Sequence, residues 1–334
     1  MFLSIVIPVF NVEQYLVDCL TSCITQNIDP ADYEIICIDD GSTDSSRDVL
    51  TDFSKRYSNI RVISQVNGGA SSARNRGIEA SSGDYIWFVD SDDFIKENVL
   101  GLLKKTASSG SPDLIRMGAY SFGDYSRGFS GTDYLYYQNS DLSCNRTSKI
   151  DMMLWRNLYK RSVMIDSGIR FDPEILTIED ALFHFIFDAE KKSSFEIPEV
   201  TYFYRMRASS LMTSHDDSKD YGYKLKLAGL FKNAADNGYG DKRISLYMLS
   251  SIMKRIMYLI SRKSGKLFRK ELRAVKGAGL FPLKIPRGFA SYHSFAKSDS
   301  RFITKMYNRC YTRSGLAVIR IFNYWFRFKK KICK

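Results

Sequence analysis

The first 120 residues alternate between short apolar runs and longer stretches whose apolar residues recur at helical spacing. Apolar runs of this length predict buried strands, and the spacing between them predicts amphipathic helices. The predicted strands are 3–9, 33–39, 60–64, 84–89 and 113–119. The predicted helices are 12–27, 70–80 and 95–108, together with one that follows Asp44 and reaches about Tyr57. Because strands that alternate with helices form right-handed crossovers, the pattern predicts an α/β fold with a mostly parallel sheet.

Beyond about Tyr120 the alternation fades. Residues 121–148 are rich in Gly, Ser, Tyr and Asp and are predicted to be irregular. Mixed short elements are predicted up to residue 215, and helical stretches at 218–236, 243–262 and 301–328. We therefore expect one domain at 1–215, with two halves that divide near residue 120, and a mainly helical C-terminal region at 216–334.

Charge is unevenly distributed along the 334 residues, whose net charge is +12. Residues 242–334 contain 24 Lys or Arg and two Asp or Glu, whereas residues 1–241 carry a net charge of −10. A region this basic favours an anionic partner such as a membrane leaflet, lipid phosphates or nucleic acid. Residues 318–332 are both aromatic and basic, as in helices that lie in a membrane interface. A packed helical subdomain with a solvated basic face is the alternative. Nucleic acid is not expected, because no motif for it is present.

The cysteines and the N-terminus bear on the cellular compartment. None of the six cysteines forms a C-x-x-C pair, and no Cys/His cluster has the spacing of a zinc site. We therefore expect free, buried thiols in a reducing compartment. The N-terminus lacks the pattern of a signal peptide, and no apolar run reaches the roughly 20 residues of a membrane span. These features predict a cytoplasmic protein.

Polar residues follow three of the predicted strands directly, at Phe10-Asn11, Asp39-Asp40-Gly41 and Asp90–Asp93. The carboxyl ends of parallel strands meet at one edge of the sheet, where ligands of α/β proteins bind. The three loops are therefore expected to form one shared site.

The densest group of carboxylates is Asp90-Ser91-Asp92-Asp93. Carboxylates at positions i and i+2 point the same way from an extended chain, and three of them repel unless a cation lies among them. A hard cation such as Mg²⁺ or Mn²⁺, together with diphosphate oxygens, meets that need. The alternative is a turn and helix cap, because Ser-Asp-Asp precedes a predicted helix.

Two further segments have side chains suited to a nucleotide. Asp40 can accept a hydrogen bond from a nucleobase N–H or a ribose hydroxyl, and Asp39 is a second candidate. The alternative for this segment is a strand-end turn with a helix cap. Asn67-Gly68-Gly69 opens a helix that carries Arg74 and Arg76, and both helix N-termini and guanidinium groups suit phosphate. The alternative is a plain helix with solvated arginines, since the segment is neither a G-x-G-x-x-G nor a Walker A loop.

Taken together, these segments resemble the family 2 glycosyltransferases of the GT-A fold. The resemblance rests on these motifs: Ile5-Val6-Ile7-Pro8-Val9-Phe10-Asn11, Asp39-Asp40-Gly41-Ser42-Thr43-Asp44, Asn67-Gly68-Gly69 with Ala73-Arg74-Asn75-Arg76-Gly77, and Asp90-Ser91-Asp92-Asp93. It continues more weakly through segments near Trp155, Gly168, Glu179-Asp180 and Tyr202.

The resemblance implies inverting transfer from a nucleotide sugar, usually a UDP-sugar. Asp180 matches the catalytic base, and Asp90 and Asp92 match the D-x-D element that meets the metal, Mg²⁺ or Mn²⁺. His215 is a further candidate for the metal. The residues that would contact the nucleotide sugar are Pro8, Val9, Phe10, Asn11, Asp39, Asp40, Gly69, Arg74, Asp90 and Ser91. Asn157 departs from the lysine expected in many relatives, which puts an acceptor or phosphate contact there in doubt.

We therefore expect a metal-dependent hexosyltransferase that acts on a saccharide acceptor. A lipid-linked acceptor at the inner face of the plasma membrane would explain the basic C-terminal region, with the protein peripheral to the membrane. Such enzymes build cell-surface polysaccharides. The alternatives are a non-catalytic relative that binds nucleotide sugar or acts as a scaffold, and a membrane-interaction protein with an incidental fold. A dinucleotide-dependent oxidoreductase is disfavoured, because no G-x-G-x-x-G follows the first strand.

Overall fold

The computed structural model describes residues 1–123, 136–137, 153–173 and 179–206. Its strands are β1 (Leu3–Val9), β2 (Tyr33–Asp39), β3 (Ile60–Ser64), β4 (Tyr85–Phe88), β5 (Phe94–Ile95), β6 (Leu114–Gly123), β7 (Tyr136–Tyr137), β8 (Asn157–Lys160) and β9 (Ser194–Met206). Its α-helices are α1 (Glu13–Ile24), α2 (Ser46–Arg56), α3 (Gly69–Ala80), α4 (Leu100–Ser108), α5 (Arg161–Asp166) and α6 (Glu179–Glu190). From β1 to β4 strands and α-helices alternate along the chain, as the hydrophobic pattern predicts.

The described strands form one sheet in the order β3-β2-β1-β4-β8-β6-β9-β5, with β7 paired to β6. The four strands from β3 to β4 run parallel to one another. In the second half β8 is antiparallel to both β4 and β6, whereas β6 and β9 are parallel. The predicted parallel α/β sheet is thus continued by a mixed second half.

The register of the parallel strands brings the site loops together. β1 pairs with β2 from Leu3 opposite Tyr33 to Val9 opposite Asp39, so both strands end at the same level. β4 lies on the other side of β1, and just beyond its end the N–H of Val89 donates to the carbonyl of Val6 at 3.0 Å. The loops after β1, β2 and β4 therefore leave from one edge, as predicted.

The core lies on both faces of this sheet. The side chains of β1, β2 and β4 are buried along almost their whole length, which explains why these strands are nearly continuous apolar runs. Cys19, Cys23 and Cys37 are free and buried in this core, as expected from the cysteine spacing. The other three cysteines lie outside the described residues.

One predicted helix begins later than expected. The apolar spacing predicts a helix from residue 95, but α4 begins at Leu100 and Phe94–Ile95 form the short strand β5. β5 pairs with β9 through Phe94 opposite Phe203. Asn98 has a φ of 57°, a left-handed conformation that cannot continue a helix from residue 95. Local spacing could not reveal the pairing, because its partner strand lies about 100 residues later.

Two units are distinguished along the chain, Met1–His215 and Asp216–Lys334. All described residues belong to the first unit, so the predicted basic helical region at 216–334 lies outside them and stays a prediction. Within the described residues, no helix is both long and apolar enough to cross a membrane.

Candidate functional site

The loop after β1 is hydrogen-bonded to the loop after β2. Asn11 has a φ of 50°, and its side-chain Oδ1 accepts a hydrogen bond from the N–H of Thr43 at 2.8 Å. Its own N–H donates to the hydroxyl of Ser42 at 3.3 Å. Phe10 is 46% exposed beside this junction, while Pro8 is half-buried and Val9 is buried. An exposed aromatic ring at the sheet edge is suited to stacking on a planar ligand.

Asp40 is 3% exposed, and it holds the glycine turn that precedes α3. One carboxylate oxygen accepts from Gln65 Nε2 and from the N–H of Gly68, each at 2.8 Å. The other accepts from the N–H of Gly69 at 2.8 Å. Gly69 has a φ of 82°, a conformation that favours glycine. A nucleobase N–H would therefore have to share these oxygens with the turn, and nucleotide contacts by Asp40 and Gly69 stay predictions.

Asp39 has the contacts of a buried structural carboxylate. It accepts hydrogen bonds from the N–H of Ser42 at 2.9 Å and from Arg47 Nε at 3.0 Å. Burial raises the pKa of Asp39, but the hydrogen bonds from Ser42 and Arg47 outweigh burial and hold the pKa below its usual value. Its predicted contact with a nucleotide is not tested by these contacts.

The Asp90–Asp93 turn is held from behind by β9. Asp93 is 1% exposed and accepts from the hydroxyl of Tyr202 and the N–H of Arg205, each at 2.7 Å. Arg205 Nε donates to the carbonyl of Asp92 at 2.9 Å, and the N–H of Asp90 donates to the Tyr202 hydroxyl at 3.1 Å. Burial, together with the charges of Asp90 and Asp92, raises the pKa of Asp93 well above its usual value. Asp93 is therefore the supporting member of the cluster.

The remaining members of this turn are placed differently. The side chains of Asp90 and Asp92 are partly exposed at the sheet edge, and Ser91 is buried. Tyr202 and Arg205, which support the turn, belong to a segment whose sequence carries only a weak signal. Their roles follow from pairing across about 110 residues of chain, which no local pattern could indicate.

Arg74 connects the Asp90 turn with the first turn of α6. Its Nη2 lies 2.9 Å from Asp90 Oδ1 and its Nη1 lies 2.8 Å from Glu179 Oε1, while the residue is 7% exposed. Burial lowers the pKa of Arg74, but the charges of Asp90, Glu179 and Asp180 outweigh burial and raise it above its ordinary value. The predicted phosphate contact of Arg74 is untested, and the guanidinium is already paired with two carboxylates.

Asp180 is the second residue of α6 and is half-buried next to Glu179. The sequence predicts that the Glu-Asp pair precedes a helix, and the pair in fact forms the first two residues of that helix. Because Arg74 binds Glu179 and Asp90 together, the segment that carries Asp180 lies beside the end of β4. Two parts of the chain about 90 residues apart thus meet at one edge of the sheet.

Other residues considered for the site have mostly structural surroundings. Asn157 is fully buried, and its Nδ2 donates to the carbonyl of Met153 at 2.7 Å. His184 is 2% exposed and shares a hydrogen bond of 2.9 Å with the hydroxyl of Tyr159. His215 lies outside the described residues, so its contact with a metal stays a prediction.

Asp90 and Asp92 are the candidate ligands of a metal ion at this edge. Within the described parts of the chain, no group of three or more His, Cys, Asp or Glu side chains is arranged to hold a metal ion. Asp90 and Asp92 nevertheless present two carboxylates at the edge, and Mg²⁺ is bound through one or two carboxylates plus substrate phosphates. The residues present therefore fit a cation that diphosphate oxygens help to bind.

Residues 4–166 match the family model described as Glycosyl transferase family 2. The chain is 33% identical over 245 residues to the uncharacterized glycosyltransferase EpsJ of Bacillus subtilis, an alignment that covers 67% of this chain and 68% of EpsJ. It is 31% identical over 236 residues to the glycosyltransferase GlyG of Streptococcus pneumoniae, covering 64% and 74%. It is 36% identical over 185 residues to a poly(ribitol-phosphate) beta-glucosyltransferase of Bacillus spizizenii, but spans only 29% of that protein.

Solved structures show the same fold at lower sequence identity. Residues 1–349 of Staphylococcus aureus TarS in complex with UDP-GlcNAc match with a TM-score of 0.67 and 19% identity, over 93% of this chain and 92% of that chain. The mannosyltransferase PcManGT of Pyrobaculum calidifontis, in complex with GDP-Man and Mn²⁺, matches with a TM-score of 0.51 and 12% identity, over 97% and 87%. At these identities the likeness extends to the fold alone.

Proposed function

Because this chain belongs to glycosyl transferase family 2 and has the GT-A fold, we propose that it moves a hexosyl group from a UDP-sugar to a saccharide acceptor with inversion at the anomeric carbon. The single observation that carries the proposal is the ion-pair bridge of Arg74 to Asp90 and Glu179, at 2.9 and 2.8 Å. An inverting transfer needs a donor site and a carboxylate base close together. The bridge supports that arrangement, because it holds the segment of Asp180 beside the Asp90 turn.

The nucleotide end of the donor is assigned to the edge formed by the first two loops. Phe10 would stack on the uracil ring, and Pro8 and Val9 would line the same pocket. Asp40 would accept from the uracil N–H through lone pairs that the glycine turn leaves available, since a carboxylate has about four such sites. Asn11, Asp39, Gly69 and Ser91 are assigned as supporting residues of the nucleotide-sugar site.

Asp180 is assigned as the catalytic base. Its carboxylate would take the proton of the acceptor hydroxyl while the hydroxyl oxygen attacks the anomeric carbon. The bond from that carbon to the diphosphate oxygen breaks on the opposite face, so UDP leaves and the configuration inverts. Water can replace the acceptor in the same step, which makes donor hydrolysis a usable assay.

A divalent cation, Mn²⁺ or Mg²⁺, is proposed at Asp92 and Asp90, with His215 as a further candidate ligand. When bound, such a cation stabilises the charge that develops on a diphosphate leaving group. Asp92 would hold the cation directly, and Asp90, already paired with Arg74, would meet the ribose or the cation.

The proposed acceptor is a lipid-linked saccharide at the inner face of the plasma membrane, in cell-surface polysaccharide synthesis. Its support is the basic region 242–334, with 24 Lys or Arg and two Asp or Glu. One relative is named as a poly(ribitol-phosphate) beta-glucosyltransferase and another as a minor teichoic acid biosynthesis protein. Replacing three lysines together by Glu should reduce co-sedimentation of the full chain with anionic vesicles; the lysines are Lys329, Lys330 and Lys331. Equal sedimentation would remove the membrane from the proposal.

The donor is tested by thermal shift with UDP-, GDP- and dTDP-sugars, each with and without Mn²⁺. We expect UDP-sugars to raise the Tm most, and Mn²⁺ to increase that shift in the wild type but not in Asp92→Ala. A larger shift with GDP- or dTDP-sugars would contradict the assigned donor. A UDP-sugar that binds without any turnover would instead indicate a non-catalytic relative.

A further inference from the structure

Arg74 occupies a position between three elements of the fold. It lies on α3, and its two terminal nitrogens contact carboxylates on different elements: Asp90 after β4 and Glu179 at the start of α6. A planar guanidinium can make two such contacts at once, whereas an ammonium group is a point charge. The side chain therefore joins the turn at the end of β4 to the helix that carries Asp180.

The next residue of α3 anchors the same region of the chain. Asn75 Nδ2 donates to the carbonyl of Phe171 at 2.8 Å, and the N–H of Phe171 donates to Asn75 Oδ1 at 2.8 Å. The Phe171 ring stacks on Phe183 of α6 with centroids 4.1 Å apart, and the Arg74 guanidinium lies 5.5 Å from the centroid of the same ring. α3 is therefore joined to α6 directly by the Arg74–Glu179 ion pair, and indirectly through Phe171, which Asn75 anchors and which stacks on Phe183.

The surroundings of Arg74 favour this connection over a phosphate contact. The residue is 7% exposed, and both Nη atoms already face carboxylates. Its Nε, which has no hydrogen-bond partner among the described residues, is buried and is therefore not presented to a ligand in solvent. A diphosphate would have to displace one carboxylate from the guanidinium and leave that carboxylate without its ion pair.

We infer that Arg74 is a positioning residue, whose guanidinium keeps the first turn of α6, and with it Asp180, in register with the Asp90 turn. The inference rests on the proposed role of Asp180 as the base. Arg74 acts on catalysis through the placement of that carboxylate and does not touch the diphosphate. Donor affinity should therefore survive its replacement, while turnover should not.

The test measures UDP affinity by calorimetry and UDP release from UDP-glucose and UDP-GlcNAc, for wild type, Arg74→Met and Arg74→Lys. We expect kcat to fall about 100-fold in both variants, because a misplaced catalytic group can cost that much. Lysine should not restore kcat, since it cannot bridge two carboxylates. UDP affinity should stay within about threefold of wild type, as expected for a residue that acts only on turnover.

A double-mutant cycle with Glu179→Ala tests the bridge itself. If both residues act through one contact, the double variant should be no slower than the slower single variant. The matched control is Arg56→Met with Asp52→Ala, an exposed ion pair one turn apart on α2. This exposed pair should change kcat by less than about twofold, singly or together.

Hydrogen exchange supplies a readout that needs no turnover. In Arg74→Met the amides of the first turns of α6 should lose protection by about tenfold, whereas Arg56→Met should leave them unchanged. The inference would be overturned if hydrogen exchange in Arg74→Met were unchanged, or if UDP affinity fell strongly. It would also be overturned if the effects of the Arg74 and Glu179 replacements on kcat multiplied in the double variant. If Asp180→Asn hydrolysed the UDP-sugar at the wild-type rate, the proposed function would be wrong. Amide hydrogen exchange in α6 would still decide the structural role of Arg74.

Discussion

Gly77→Ala tests how closely α3 must lie against the sheet. Gly77 is buried where α3 packs on β1, and a Cβ there would stand 3.1 Å from Cγ2 and 3.2 Å from Cβ of Val6 and would overlap Cγ1. Val6 is fully buried in a strand paired on both sides, so its β-branched side chain cannot move away. The helix itself must shift, and Arg74 lies one turn earlier on that helix.

The size of the effect follows from these distances. Carbon atoms pack at about 3.5–4.0 Å, so the added methyl group is short of room against all three Val6 atoms. Overpacking of this kind costs about 1–3 kcal/mol, and three close contacts place this site near the upper end. Alanine recovers about 1 kcal/mol over glycine within a helix. We expect a net loss of about 2 kcal/mol, or roughly 4–8 °C in Tm for a domain of this size.

The assay is urea unfolding of wild type, Gly77→Ala and Gly110→Ala. Gly110 has no atom within 4 Å of an added Cβ, so its replacement should stay within about 0.5 kcal/mol of wild type. Combining Gly77→Ala with Val6→Ala removes both Cγ atoms, which include the nearest one, and the double variant should be more stable than the sum of the single losses by at least about 1 kcal/mol. A Gly77→Ala protein as stable as wild type would refute the packing argument.

Two other predictions concern stability. Asn75→Ala removes two hydrogen bonds to the backbone of Phe171 and should cost about 2 kcal/mol in urea unfolding; an unchanged midpoint would contradict this anchor. Burial raises the pKa of Asp39, but hydrogen bonds from Ser42 and Arg47 lower it further, so its folded-state value is depressed. Its contribution to stability should therefore be present above about pH 4 and be lost as the pH falls through the depressed folded pKa. Unfolding midpoints from pH 7 to 3 should fall less steeply in Asp39→Asn, and equal slopes would show that Asp39 contributes nothing.

The strands and the shared edge were accessible from sequence because they depend on local regularities. Buried parallel strands are continuous apolar runs, so β1, β2 and β3 have the predicted bounds. The loops after them meet because parallel strands end at one side of a sheet. Apolar runs and the geometry of parallel strands were therefore sufficient to predict this part of the fold.

The division of tasks within the Asp90–Asp93 turn was not accessible in the same way. The sequence matches Asp90 and Asp92 to a D-x-D element but leaves Asp93 without a role, and only its pairing with Tyr202 makes it the supporting member. Arg74 shows the same limit. A guanidinium after a glycine turn suits phosphate, but the fold brings Glu179 and Asp90 to it first. The Arg74–Glu179 contact joins residues 105 apart in sequence, so it depends on tertiary structure.

The most direct test of the central claim is UDP release from the preferred UDP-sugar by Asp180→Asn, measured beside UDP affinity. Asp166→Asn is the matched control, because Asp166 ends α5 and is exposed. If Asp180 is the base at a site completed by the Asp90 turn, kcat should fall by at least about 100-fold, while UDP affinity and the control remain near wild type. Wild-type turnover in Asp180→Asn would contradict the account.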